Sequence, residues 1–219
     1  MSALSTSRPN VLTSLEITES SLPSLWLQEL FTASRGLKHF KYRYESALGP
    51  PFNPEPLHSA LRMVRATLET LDFNSAHWCL LSSSAKLGPF TDFPRLTTLK
   101  TKYHWLLNHH SHHQYHHHSN SSMRLADVLP PRLQQLSLSC CHHSDTDFFA
   151  DVFDAVASAR FKELADLNVA PSGMANACAG TEYSRLAGVC RINRMDFSVY
   201  GNPILRFDES GGMIDLDGD

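Results

Sequence analysis

The chain has 219 residues, 42% of them hydrophobic and 19% charged, with a formal net charge of -3. That composition supplies one sizeable core and excludes a disordered or membrane-spanning chain. The lack of basic excess argues against nucleic-acid affinity driven by phosphate neutralisation. Residues 1–10 are polar, lack the basic-then-apolar order of a signal peptide and predict a disordered N-terminus.

From Leu12 onward a triplet recurs, L-x-x-L-x-Φ, where Φ is a large apolar residue. It reads Leu12, Leu15, Ile17; Leu37, Phe40, Tyr42; Leu68, Leu71, Phe73; Leu96, Leu99 with Thr101 third; Leu133, Leu136, Leu138; Leu164, Leu167, Val169; and, more loosely, Ile192, Met195, Phe197. Side chains alternate along a strand, so the last two members share one face while the first packs inward just before the strand. Between triplets the period turns helical. Leu22, Leu25, Trp26 and Leu30 mark the first helix; Leu57, Leu61, Val64 and Leu68 the second; Leu125, Val128 and Leu129 a short one; Phe149, Val152, Phe153 and Val156 the next; Tyr183, Leu186 and Val189 the last. Ser20 and Ser21, then Ser144 and Asp145, provide capping oxygens at two helix starts, and Pro130 and Pro131 stop the helix near Leu129. Ser82 to Asp92 has no helical period and predicts a turn or a 3₁₀ segment.

Successive first positions fall 25, 31, 28, 37, 31 and 28 residues apart, near the ~20–29-residue period of leucine-rich repeats with loop insertions. The pattern predicts an α/β leucine-rich-repeat solenoid of six to seven repeats over residues 11–200. One parallel strand per repeat lies on the concave face, with helices or irregular segments on the convex face. An ordinary α/β domain with a buried sheet is the alternative. Residues 201–219 predict a C-terminal hairpin, Ile204 to Phe207 against Met213 to Leu216, and an acidic tail; Met1 to Asn10 is too short to cap the first strand, which suggests a covering partner, self-association through that edge, or a chain derived from a longer ancestor.

At the middle exposed position of successive strands stand Glu16, Lys41, Asp72 and Lys100, followed by Ser137 and Asn168, with Lys38, His39, Arg43, Tyr44, Lys102 and Tyr103 flanking. The four charges alternate in sign, so they either neutralise one another or form a polar track for a protein partner. Tyrosine and arginine are residue types that anchor interfaces.

The longest interval holds eight of the thirteen histidines, between His104 and His118. This His-rich insertion, at about residues 107–122, predicts an external low-complexity loop. His109, His110, His112, His113, His116, His117 and His118 are weak metal candidates, because a floppy tract offers many poor ligand sets. Cys140-Cys141-His142-His143 brings four ligand types together, but alternation turns neighbours to opposite sides. The five cysteines show no C-x-x-C spacing and suit reduced thiols in cytoplasm or nucleus. No phosphate loop, H-E-x-x-H, G-x-S-x-G or dinucleotide fingerprint occurs.

The stretches Gly36-Leu37-Lys38-His39-Phe40-Lys41-Tyr42, Thr67-Leu68-Glu69-Thr70-Leu71-Asp72-Phe73 and Leu125-Ala126-Asp127-Val128-Leu129-Pro130-Pro131-Arg132-Leu133 resemble the degenerate leucine-rich repeats of fungal F-box-associated proteins, in the ribonuclease-inhibitor-like class. The F-box itself is not recognisable. The resemblance implies a non-catalytic protein-interaction scaffold without cofactor, related to substrate-recognition modules of ubiquitin ligases. Metal binding or buffering by the histidine tract is the second reading, and a degenerate structural fragment the third.

Overall fold

Extended backbone forms wherever the apolar residues alternate, because one face of the strand can then be buried while the other stays wet. The structure is a computed structural model and describes residues 12–18, 24–44, 54–75, 86–107, 123–141, 146–158, 160–171, 177–199, 206–207 and 213–214. The strands are β1 (Ser14–Ile17), β2 (His39–Tyr44), β3 (Thr70–Ser75), β4 (Thr98–Lys102), β5 (Gln135–Cys141), β6 (Asp166–Pro171) and β7 (Asp196–Val199). They form a single sheet in chain order, and every neighbouring pair is parallel. The helices are α1 (Ser24–Ala33), α2 (Glu55–Leu61), α3 (Tyr103–Leu106), α4 (Leu125–Val128), α5 (Thr146–Ala157) and α6 (Ala177–Ile192), with a 3₁₀ turn at Arg62–Val64 after α2. Two short strands, β8 (Arg206–Phe207) and β9 (Met213–Ile214), pair antiparallel.

The sheet is an α/β structure in which the triplets fix the register. Leu15, Phe40, Leu71, Leu99, Leu136 and Leu167, the second members of the first six triplets, lie opposite one another, and in the seventh the place opposite Leu167 is taken by Phe197, the expected third member, rather than by Met195. The first leucines, Leu37, Leu68, Leu96, Leu133 and Leu164, are buried just before their strands. Immediately after Leu12, Leu37, Leu68, Leu96 and Leu133, one backbone carbonyl takes two N–H groups from the segment that leads into the next strand, while after Leu164 the Ala165 carbonyl takes one, from Asp196. The Thr13 oxygen accepts from Lys38 and His39, the Lys38 oxygen from Glu69 and Thr70, the Glu69 oxygen from Thr97 and Thr98, the Thr97 oxygen from Gln134 and Gln135, and the Gln134 oxygen from Ala165 and Asp166, at 2.7–3.1 Å. The repeated apolar triplet thus corresponds to a repeated hydrogen-bond pattern.

Two outer positions differ from the expectation. Leu12 is 43% exposed, since among the described residues no unit precedes it to pack against. Ile192 is 80% exposed because α6 runs through it, and the chain turns only afterwards, at Arg194. Met195 takes the inward place instead.

Helices and turns cover one face of the sheet. On α1 the buried residues are Leu27, Phe31 and Ser34 just beyond, spaced i, i+4, i+7, whereas Trp26 stands in solvent. Of the expected stripe, Trp26 is exposed and Leu30 half-buried, with Leu27 and Phe31 in the inward places and the Phe31 ring edge-on against Phe40 at 4.9 Å; Leu22 and the Leu25 side chain lie outside the described residues. The expected α2 stripe is buried through Leu57, Leu61, Val64 and Leu68, although the helix itself stops at Leu61. Between β3 and β4 the described residues 86–97 form turns without a helix, and Leu87, Phe90 and Phe93 fill the space. Helix α3, which the sequence pattern did not predict, follows β4 directly and stacks Trp105 on Phe73 at 4.5 Å. Contacts Tyr103–Phe148, Phe148–Phe149 and Phe149–Tyr183, at 4.8–5.1 Å, then tie α3 to α5 and α6 in one core. The capping residues Ser20, Ser21, Ser144 and Asp145, and the segments 1–10 and 82–85, lie outside the described residues.

Candidate functional site

The face opposite the helices carries the alternate residues of each strand, and parallel register aligns them in rows. One row reads Glu16, Lys41, Asp72, Lys100, Ser137, Asn168, Ser198. A row nearer the strand starts reads Ser14, His39, Thr70, Thr98, Gln135, Asp166, Asp196. Neighbouring strands stand ~4.8 Å apart, so adjacent members of a row can interact directly.

Much of this face satisfies itself. In the row near the strand starts, a His39 ring nitrogen lies 3.1 Å from the Thr70 hydroxyl, Thr98 donates to Gln135 at 3.3 Å, and the Gln135 amide donates to Asp166 at 2.9 Å. At one end of the middle row Lys41 pairs with Glu16 at 2.6 Å, and the same lysine holds the Glu16 carboxyl below its ordinary pKa. Lys38 pairs with Glu69 at 2.9 Å and lowers that carboxyl likewise. At the other end Ser198 donates to the Asn168 side chain.

The centre differs. No hydrogen bond or ion pair joins Arg43, Asp72 or Lys100 to another described residue. These three side chains line a cleft of about 460 Å³ that spans β2 to β6. Its shape follows from the sequence: long side chains on β2 and β4 make one wall, and the short Ser137, Ser139 and Ala170 on β5 and β6 leave the space beside them. Asn74 and Asn168 add amide groups at the lining. A larger hollow of about 510 Å³ lies on the helix side, between α1 residues such as Gln28 and Thr32 and the exposed Met63, but it gathers fewer polar groups that could orient a ligand.

Of the ten predicted contact residues, seven reach the surface: Glu16, Lys38, His39, Lys41, Arg43, Asp72 and Lys100. Three do not. Tyr44 is 6% exposed because it continues the inward alternation of Phe40 and Tyr42. Tyr103 is 2% exposed because β4 ends at Lys102 and the chain turns into α3, where its hydroxyl donates to Asp151 on α5 at 2.8 Å. Lys102 is 1% exposed, its ammonium 5.1 Å from the centre of the Trp105 ring, whose electron-rich face attracts a cation. Mutual neutralisation holds only for Glu16 with Lys41. Sequence reasoning did not assign Asn74, Ser139 or Ala170 to the site; small residues at alternate positions of β5 and β6 were the available signal.

The candidate metal residues His109, His110, His112, His113, His116, His117 and His118 lie outside the described residues, as do His142, His143 and the side chains of Cys140 and Cys141. Cys190 is a free thiol inside α6, and burial pushes its pKa up to about 12, which keeps it unreactive at neutral pH. Among the described residues no helix is long and apolar enough to cross a membrane.

Chemically, the cleft offers a guanidinium, an ammonium, a carboxylate, amides and hydroxyls. These groups can recognise a ligand through charge and hydrogen bonds. No protein-family model matches the chain, and comparison with curated proteins gave no match either.

Proposed function

We propose that the chain is a degenerate leucine-rich-repeat solenoid that serves as a non-catalytic protein–protein interaction scaffold, working in cytoplasm or nucleus. Its sheet face is the binding surface. One observation carries this reading: seven in-register parallel strands hold a polar face on which the outer charges are paired, while Arg43, Asp72 and Lys100, around a cleft, form no hydrogen bond or ion pair among the described residues. Charged groups that make no close pair among the described residues can meet another molecule, and arginine is favoured at such contacts. The resemblance to F-box-associated repeats makes a substrate-recognition module the nearest model, with a protein as partner.

Charge reversal at Lys41 and Arg43 together tests the surface. Both side chains are at least partly exposed, so the K41E/R43E chain still folds, with a stability loss of about 1–2 kcal/mol because reversal at Lys41 breaks its pair with Glu16 and sets a carboxylate between Glu16 and Asp72. Titration against a partner isolated from native extract should show a loss of affinity of tenfold or more, with circular dichroism unchanged. Unchanged affinity would exclude this face.

A further inference from the structure

The chemistry of the cleft also bears on its partner. Arg43 and Lys100 contribute two positive charges, Asp72 one negative, and the β5 and β6 side contributes only neutral hydrogen-bonding groups. The cleft therefore has a local net positive charge on a chain whose overall charge is -3. The carboxylates beside it are paired first with other lysines, Glu16 with Lys41 and Glu69 with Lys38, although Arg43 also lowers the Glu16 pKa through space. We infer that the cleft receives an acidic polypeptide segment, a partner carboxylate bridging Arg43 and Lys100 while Ser137, Ser139 and Asn168 bond the segment's backbone. This rests on the sheet face being the interaction surface, and it adds the class of partner.

Arginine presents a planar fork that matches a carboxylate, and Lys100 supplies a second cation from two strands away. Asp72 lies in register between Lys41 and Lys100 and opposes the acidic group, so it sets an upper limit on affinity and rejects highly charged anions. A nucleic-acid strand is the poorer occupant. Tracking its phosphates across the face would bring them against Asp72, Asp166 and Asp196, each of which repels them.

The probe is a fluorescein-labelled ten-residue Gly-Glu repeat peptide, followed by anisotropy at about 20 mM salt, where screening extends over roughly 20 Å. Matched Gly-Lys and Gly-Ser peptides and a ten-nucleotide oligothymidylate complete the set. Expected are preference for the Gly-Glu peptide, at least fivefold weaker binding in each of R43S and K100S, and two- to threefold tighter binding in D72N. K162S, whose side chain is exposed on the turn after α5 and outside the cleft, should match the unaltered chain. Preference for Gly-Lys or for the oligonucleotide, binding indifferent to Arg43 and Lys100, or weaker binding in D72N would overturn the inference. The isolated partner separates this failure from that of the underlying reading. If K41E/R43E abolishes its binding but excess Gly-Glu peptide does not compete, the surface stands and its acidic preference falls; if K41E/R43E leaves its binding intact, the surface itself falls.

Discussion

Thr101 occupies a place where the other complete triplets carry a large apolar residue, and it is buried with no described hydrogen-bond partner for its hydroxyl. A buried hydroxyl left without a partner costs about 1–3 kcal/mol. Thr101→Val keeps the shape and removes the polar atom, so the urea midpoint should rise, by about 1 kcal/mol in stability. His58 is the opposite case, a polar group whose surroundings fit it. Its Nε2–H donates to the Pro89 carbonyl at 2.9 Å, and Phe90 meets its ring edge-on. Gly88 makes that approach possible: its φ is +83°, and a Cβ there would stand 2.6 Å from the His58 Nδ1. Burial lowers the His58 pKa most, while the Pro89 bond and Asp92 oppose the shift and Arg62 adds to it. The folded chain therefore binds the proton less readily than the unfolded chain does. His58 contributes its full stabilisation above about pH 6.5 and loses it as pH falls through the lower folded pKa. Denaturation curves at descending pH should show a steeper loss in the unaltered chain than in His58→Gln.

At the scale of single elements, the end of α6 shows how a local rule can displace a repeat. The Met195 N–H donates to the Cys190 carbonyl at 2.9 Å and the Arg194 N–H to the Arg191 carbonyl at 3.0 Å, with Arg194 at φ 56°. That left-handed turn closes the helix, but a side chain there is strained and glycine is the usual occupant. Arg194 is exposed, so Arg194→Gly should raise the melting temperature, corresponding to roughly 0.5–1 kcal/mol. Helix α3 illustrates the converse, a four-residue helix too short to be stable alone, held by Trp105 on Phe73 and by Tyr103 on Asp151. Neither contact partner is near in sequence, so the triplet pattern gave no sign of the turn that buries Lys102 and Tyr103.

For the molecule as a whole, each strand depends on its neighbours in chain order, and the pairing of β4 with β5 holds from Thr98 with Gln135 to Lys102 with Ser139. The histidine tract falls inside this connection without supplying any of those pairs. Removal of residues 108–120 should leave the melting temperature within about 2 °C, since shortening the connection between β4 and β5 changes closure entropy only slowly. A partner bound through the sheet face should survive that deletion, whereas a metal-buffering role would vanish with it; titration and elemental analysis of the two chains distinguish the outcomes.

The apolar triplets by themselves determined that strands exist, where they lie and which residues share the inward face. Burying one face of a strand requires only alternation, and alternation is written in consecutive residues. The exposed row from Glu16 through Lys100 was legible for the same reason. Tertiary structure alone decided which charges are matched, because pairing depends on side-chain reach across strands: Glu16 meets Lys41, but no ion pair forms between Asp72 and Lys100. It also decided where the cleft opens, since that hollow arises from long side chains on β2 and β4 and short ones on β5 and β6, residues as far apart in the chain as Arg43 and Ala170.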